Sequence, residues 1–325
     1  MPERQDDAGW GDFAAAFQAV VDNVGLVIRG KTDAVSQALT CLLSGGHLLL
    51  EDVPGLGKTS LARALAASVE ASCHRVQFTP DLLPSDITGV TVYHQGSDAF
   101  TFHEGPVFAH VVVADEVNRA SPKTQSALLE VMEENRVTVD AVSHWVPRPF
   151  FVVATQNPVD MDGTYPLPEA QLDRFLMRVR VGYPDRAAEL AILRDRRSGL
   201  RVEDLQPVLT TDDVLALVAL AAQVHVADNV SGYVVDLVTA TRSLPGLRLG
   251  ASPRGSIALL RAAQVQAAAA GRAFVIPEDV QRLAAPVLAH RLLVTPDAEL
   301  RGYTGEQAVA EALAAVPVPR TLTGV

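Results

Sequence analysis

Aromatic residues are scarce in this sequence, at 5% of 325 positions, and cysteine occurs only twice. With few rings available, the 48% hydrophobic content is mostly Ala, Val and Leu, which suits an α/β or α-rich chain. Cys41 and Cys73 lie far apart, each inside an apolar pattern. They exclude a disulfide scaffold and a cysteine-ligated metal site, and predict small core residues in a reducing compartment. No apolar run approaches the roughly 20 residues of a membrane span. Residues Met1 to Asp12 are polar and acidic, without a signal-type apolar segment, so a cytoplasmic location is expected. Cations are outnumbered, Lys+Arg 27 against Asp+Glu 38, for a net charge of −11. That balance does not favour nucleic acid or an anionic membrane as a partner. The eight histidines show no metal-ligand spacing, and no internal repeat is evident. The length predicts about two domains.

The most informative stretch runs from His47 to Thr59. An apolar run, Leu48-Leu49-Leu50, ends in Glu51-Asp52-Val53-Pro54-Gly55-Leu56-Gly57, and Lys58-Thr59-Ser60 then opens an apolar-periodic helix with Leu61, Ala64, Leu65 and Val69. This is the strand–loop–helix setting of a phosphate-binding loop. Gly55 and Gly57 let backbone N–H groups curl around phosphate oxygens, Lys58 adds charge, and Thr59 offers a hydroxyl to Mg²⁺. The first position of the usual pattern is Gly, and here it is Asp52.

Around this loop the pattern predicts an amphipathic helix with Phe13, Phe17, Val20 and Val24, and a second helix capped by Asp33. Strands are predicted at residues 48–50, 74–79, 111–114, 150–155 and 176–181. Residues 80–109 interrupt the alternation. They read as a short helical piece broken by Pro84 and Gly89, then a β-hairpin pairing 90–93 with 99–102. Phe100 and Phe102 share one strand face there, and core is the expected use. Ser121-Pro122 starts a helix whose run Glu130, Glu133 and Glu134 predicts a solvated face. A second hairpin is expected at 137–146, where Trp145 reads as a packed or rim aromatic. After Pro184 the pattern is helical only, with segments near 187–196, 213–222, 230–242, 253–271 and 277–289, and Pro286 should kink or end the last. The expected domains are therefore 1–184 and 185–325.

Four further stretches gain meaning beside Lys58. Asp115-Glu116 ends a buried strand, at the edge where α/β sheets bind ligands. Asp115 would hold Mg²⁺ through water and Glu116 would polarise an attacking water. Asn157 ends the next strand and either orients that water or simply forms a turn before Pro158. Arg174, after a short helix begun by Pro168-Glu169, either reaches a neighbouring subunit's nucleotide or pairs with Asp173 on the surface. Ser252-Pro253 caps a helix with Arg254 in its first turn, where it could point at a phosphate.

Taken in order, Gly-Leu-Gly-Lys-Thr (55–59), Val-Val-Val-Ala-Asp-Glu-Val-Asn-Arg-Ala (111–120), Ala-Thr-Gln-Asn-Pro (154–158), Leu-Pro-Glu-Ala-Gln-Leu-Asp-Arg-Phe (167–175) and Ser-Pro-Arg (252–254) resemble a MoxR-type AAA+ ATPase. The resemblance runs from about Val20 to Leu293 and continues into a lid around Pro277 and Pro286. It implies an α/β fold: a P-loop core with a parallel sheet and hairpin insertions, followed by an all-α lid. It also implies that Lys58 and Thr59 belong to Walker A, Asp115 and Glu116 to Walker B, and Asn157 to sensor 1. Arg174 then matches the arginine finger, Arg254 the sensor 2 arginine, and Arg29-Gly30 the adenine contact. Besides Asp52, Ile276 departs from expectation, because Ser or Thr would cap the helix after it better.

The resemblance implies an ATP- and Mg²⁺-dependent ring, a hexamer, that remodels a client protein in maturation or cofactor insertion. Its relatives often work with a von Willebrand A-domain protein. A nucleic-acid motor is the competing reading. Between Arg75 and Arg119 there is no Lys or Arg, although that span holds the whole first insertion, and a strand-tracking loop should carry cations. A nucleotide-gated scaffold with slow turnover is the third, opposed by the presence of Glu116, Asn157 and both arginines.

Overall fold

The computed structural model describes residues 8–53, 55–157, 165–190 and 201–319. Five strands form one sheet: β1 (Leu48–Glu51), β2 (Cys73–Gln77), β5 (Val111–Asp115), β8 (Phe151–Gln156) and β9 (Met177–Val179), in the order β2-β5-β8-β1-β9. β5 and β8 are almost wholly buried, as their unbroken Val, Ala and Phe runs require of strands covered on both faces. The β2–β5, β5–β8 and β1–β8 pairings are parallel. The carboxyl ends of β1, β5 and β8 therefore share one edge, and Glu51, Asp115 and Gln156 stand there.

The first helix, α1 (Ala8–Gly25), buries Phe13, Phe17, Val20 and Val24 as its periodicity predicts. The second, α2 (Thr32–Leu43), begins one residue before Asp33. Lys31 is its N-cap, so Asp33 lies in the first turn and complements the helix dipole instead of capping. α3 (Lys58–Ser68) follows the loop after β1. α4 (Pro84–Thr88) starts at Pro84, a position where proline's missing N–H costs nothing. The first insertion is the hairpin β3 (Gly89–His94) with β4 (Ala99–Glu104). α5 (Pro122–Glu134) leads to the second, β6 (Arg136–Val139) with β7 (Val142–Trp145). One expectation fails in the first hairpin: Phe100 is 74% exposed rather than core. Phe102 is half-buried and stacks on His144 at 4.0 Å, so the two insertions touch through this pair.

The chain resolves into two compact units. One comprises Ala19–Phe175 and Val179–Leu215. The other comprises the described residues of Met1–Gln18, Leu176–Arg178 and Ala216–Val325. These divisions cross the sequence boundary at residue 184, because 179–215 group with the sheet and 8–18 with the later helices. After Pro184 the structure has helices at Thr211–Ala221, Asp228–Thr241, Pro253–Ala269, Pro277–Leu288, Pro296–Glu299 and Gly305–Ala315. The helix expected at 187–196 is seen over 186–190, and its remainder lies outside the described residues. The region is not purely helical: β10 (Leu247–Leu249) and β11 (Leu293–Val294) pair antiparallel. Pro286 sits in the last turn of its helix, which ends two residues later at Leu288. No helix among the described residues is long and apolar enough to cross a membrane.

Candidate active site

β1 delivers the chain into the Gly-rich loop. Gly55 and Gly57 have φ of +86° and +81°, and a Cβ on either would meet nothing within 4 Å. Glycine is needed there for the backbone conformation, not for space. Gly57 is the N-cap of α3 and offers no side-chain acceptor to the first N–H groups. By contrast, Ser121 and Ser252 cap their own helices with hydroxyl oxygens. The amino end of α3 is thus left open to an anion, with the helix dipole favouring negative charge.

Lys58 is buried beneath this loop. Its Nζ donates to Asn157 Oδ1 at 2.8 Å, to the Gln156 carbonyl at 3.2 Å and to the Asp52 carbonyl. Burial pushes the Lys58 pKa down, while the charges of Asp52, Asp115, Glu116 and Glu51 oppose that shift. Asp52, the departure from the usual loop, uses its carboxylate to accept from Val53 N at 2.9 Å and from Gly182 N. An Asp here ties the loop's first residue to the chain leaving β9, which a Gly could not do.

Asp115 is buried at the end of β5. Thr59 Oγ1 donates to its Oδ2 at 3.0 Å and lies 3.2 Å from Oδ1. Thr155 Oγ1 donates to Oδ1 at 3.0 Å, and Arg75 Nε to Oδ2 at 2.6 Å. Glu116 follows in the left-handed region, φ +55°, a conformation uncommon for a side-chained residue. Its N–H donates to Thr155 Oγ1 at 2.9 Å. Its carboxylate accepts from Asn157 Nδ2 at 3.1 Å and Gln77 Nε2 at 2.9 Å, and pairs with Arg119 at 3.2 Å. One amide, Asn157, therefore bridges Lys58 to Glu116, and it is 5% exposed. That is more than a turn former needs.

The structure brings Lys58, Thr59, Asp115, Glu116 and Asn157 into one bonded cluster. Ser60 lies half-buried in the first turn of α3, and Leu56 half-buried in the loop. Pro54 lies outside the described residues. Arg29 Nη1 donates to the Gly25 carbonyl at 3.3 Å, and Gly30 has φ +69°. Arg174 pairs with Glu133 at 2.9 Å, not with Asp173 as the surface reading had it. It borders an acidic cavity of about 260 Å³ with Glu130, Glu134 and Gln171. Arg254 is exposed in the first turn of the Pro253–Ala269 helix. Sequence reasoning missed Thr155, Gln77, Arg75 and Arg119. Two of them come into reach only through the sheet: the β2–β5 register sets Gln77 opposite Asp115, and alternation puts Arg75 on the same face.

Residues 47–177 match the model of the ATPase family associated with various cellular activities, and 239–312 match the AAA lid domain. The chain is 49% identical over 308 residues to YeaC of Bacillus subtilis, covering 95% of this chain and 96% of that one. It is 41% identical over 313 residues to Chaperone MoxR1 of Mycobacterium tuberculosis, covering 94% and 82%. A crystal structure from Cytophaga hutchinsonii superposes with a TM-score of 0.89 at 38% identity, covering 96% and 97%. An open helix terminus over a buried lysine, with an acid pair beside it, is what binding and cleaving a nucleoside triphosphate require, and these relatives agree: the chain belongs to the MoxR family of AAA+ ATPases and is an ATP-hydrolysing enzyme.

Proposed function

We propose that this ATPase forms a hexameric ring in the cytoplasm and uses its cycle to remodel a client protein during maturation or cofactor insertion. The observation that carries the reading is the surface of the two insertions. Phe100 and Trp145 are 74% and 63% exposed, and Tyr93 and Val142 are exposed beside them. No Lys or Arg occurs from residue 76 to 118. In the first insertion, exposed apolar side chains without cations suit a polypeptide and not a phosphate backbone, whereas in the second Arg136 lies 5.7 Å over the Trp145 ring. The name of the mycobacterial relative, a chaperone, points the same way. A von Willebrand A-domain protein is the partner this reading favours.

In this reading residues 1–184 act as the ATPase core and 185–325 as the lid. The loop from Pro54 to Ser60 holds the phosphates through the N–H groups of Gly55 to Ser60 and through Lys58, and Arg29 and Gly30 border the adenine. Thr59 and Asp115 fit a Mg²⁺ ion, because a hydroxyl and a carboxylate, both hard oxygen donors, stand within 3.2 Å of each other. When bound, that ion neutralises phosphate charge. Glu116 takes the proton of the attacking water, and Asn157 holds the Glu116 carboxylate in line with Lys58. Arg174 serves a neighbour's site and Arg254 acts as sensor 2.

The test is co-purification with tagged Glu116→Gln protein held in ATP, read by mass spectrometry and by assay for nucleic acid. A recurrent protein, especially one with a von Willebrand A-type domain, is the expected result. Recovered nucleic acid without protein would overturn the reading in favour of a nucleic-acid motor.

A further inference from the structure

Arg75 enters the cluster from β2, outside the Gly-rich loop. Its Nε is 2.6 Å from Asp115 Oδ2. The Asp115 side chain is 7% exposed and that of Arg75 is 55% exposed. Asp115 already accepts from Thr59, Thr155 and Arg75, so both of its oxygens are engaged. A carboxylate this buried is strongly disfavoured without a positive partner. Arg75 supplies one from the neighbouring strand, on a side chain exposed enough to swing away at little cost.

We propose that Arg75 is a resident counter-ion on Asp115 which a divalent cation has to displace. The inference rests on the reading of Asp115 and Thr59 as the metal-holding pair. A dication drawn to these oxygens meets a guanidinium on one of them, and two positive charges at that distance repel. The same guanidinium has a second contact. Arg75 Nη2 donates to Gln77 Oε1 at 3.0 Å, which turns the Gln77 amide so that its Nε2 reaches Glu116 Oε2 at 2.9 Å. Releasing Arg75 from Asp115 therefore also removes the group that fixes Gln77 against Glu116. Arg75 is a positioning residue: it links occupancy of the metal carboxylate to the freedom of Glu116 without touching the nucleotide.

The test is direct Mn²⁺ binding, followed by electron paramagnetic resonance, on protein saturated with a non-hydrolysable ATP analogue. Arg75→Gln removes the charge and keeps a polar side chain, whereas Arg75→Lys keeps the charge. The Mn²⁺ concentration for half-occupancy should fall in Arg75→Gln by roughly two- to five-fold, the size of a half-exposed ion pair. In Arg75→Lys it should stay close to wild type. A purely structural role would weaken metal binding in both variants, so the direction of the change is diagnostic. An unchanged or weakened half-occupancy in Arg75→Gln overturns the inference. If Asp115→Asn still abolishes Mn²⁺ binding in that case, the reading of Asp115 survives it. Absence of Mn²⁺ binding in the wild-type protein would sink both.

Discussion

His47 shows how a single residue can be fixed by burial. It is buried where β1 begins, with Nε2 3.0 Å from the Met132 carbonyl and Nδ1 accepting from Val152 N at 3.1 Å. Those partners place the proton on Nε2, and burial pushes the pKa down to about 4 from an ordinary 6.5. Above pH 6.5 the ring is neutral whether the chain is folded or unfolded, and its contribution to stability is complete. As pH falls from 6.5 towards 4 the unfolded chain takes up the proton and the folded one resists, so stability is lost, on the order of 3 kcal/mol. Urea unfolding at pH 7 and pH 4.5 should show this fall in the wild type, and His47→Gln should be flatter across the same interval. Equal pH dependence in both would refute the assignment. At this scale the sequence was legible where a residue's neighbours along the chain decide its place, as for Gly57, Lys58 and Thr59 at the start of α3. It was not legible where the partner sits on another strand: Arg75, Gln77 and Thr155 meet Asp115 and Glu116 only through the sheet.

At the scale of elements, the helix Pro277–Leu288 is instructive. Ile276 has no side-chain acceptor, yet the helix starts where expected. Asp279 makes the reciprocal contact instead, its carboxylate accepting the Ile276 N–H at 3.0 Å, and Arg272 grips the same carboxylate at 2.6 and 2.9 Å. Asp279→Ala should therefore cost about 2–3 kcal/mol, since it removes a cap and strands a partly buried guanidinium. Asp279→Asn, which keeps an acceptor for the backbone, should cost less. Denaturant midpoints of the two variants check this, and an unchanged midpoint for Asp279→Ala would contradict it. Apolar periodicity made α1 and the buried strands β5 and β8 readable, because burial on a fixed face leaves a repeating pattern. Periodicity says which residues share a face, not whether anything covers it. That is why Phe100 reads as core and stands exposed. Strands of two or three residues, such as β10 and β11, are too short to show a period at all.

The whole molecule carries the claims that no single chain can display. If Arg174 serves a neighbour's site, its ion pair with Glu133 must open as subunits meet. ATPase activity per protomer should then rise with protein concentration. Arg174→Ala should lower the plateau by on the order of 10³-fold while ATP binding persists. Concentration-independent turnover in a proven monomer would remove Arg174 from that role. Beneath this lies the central claim, that the Lys58–Asn157–Glu116 cluster divides binding from hydrolysis among its members. The most direct measurement compares Lys58→Ala with Glu116→Gln, using fluorescent-ATP affinity and phosphate release on the same preparations. The account predicts that Lys58→Ala loses affinity, whereas Glu116→Gln binds like wild type and releases phosphate roughly 10²-fold or more slowly. Equal loss of ATP binding in both variants, or undiminished phosphate release in Glu116→Gln, would contradict it.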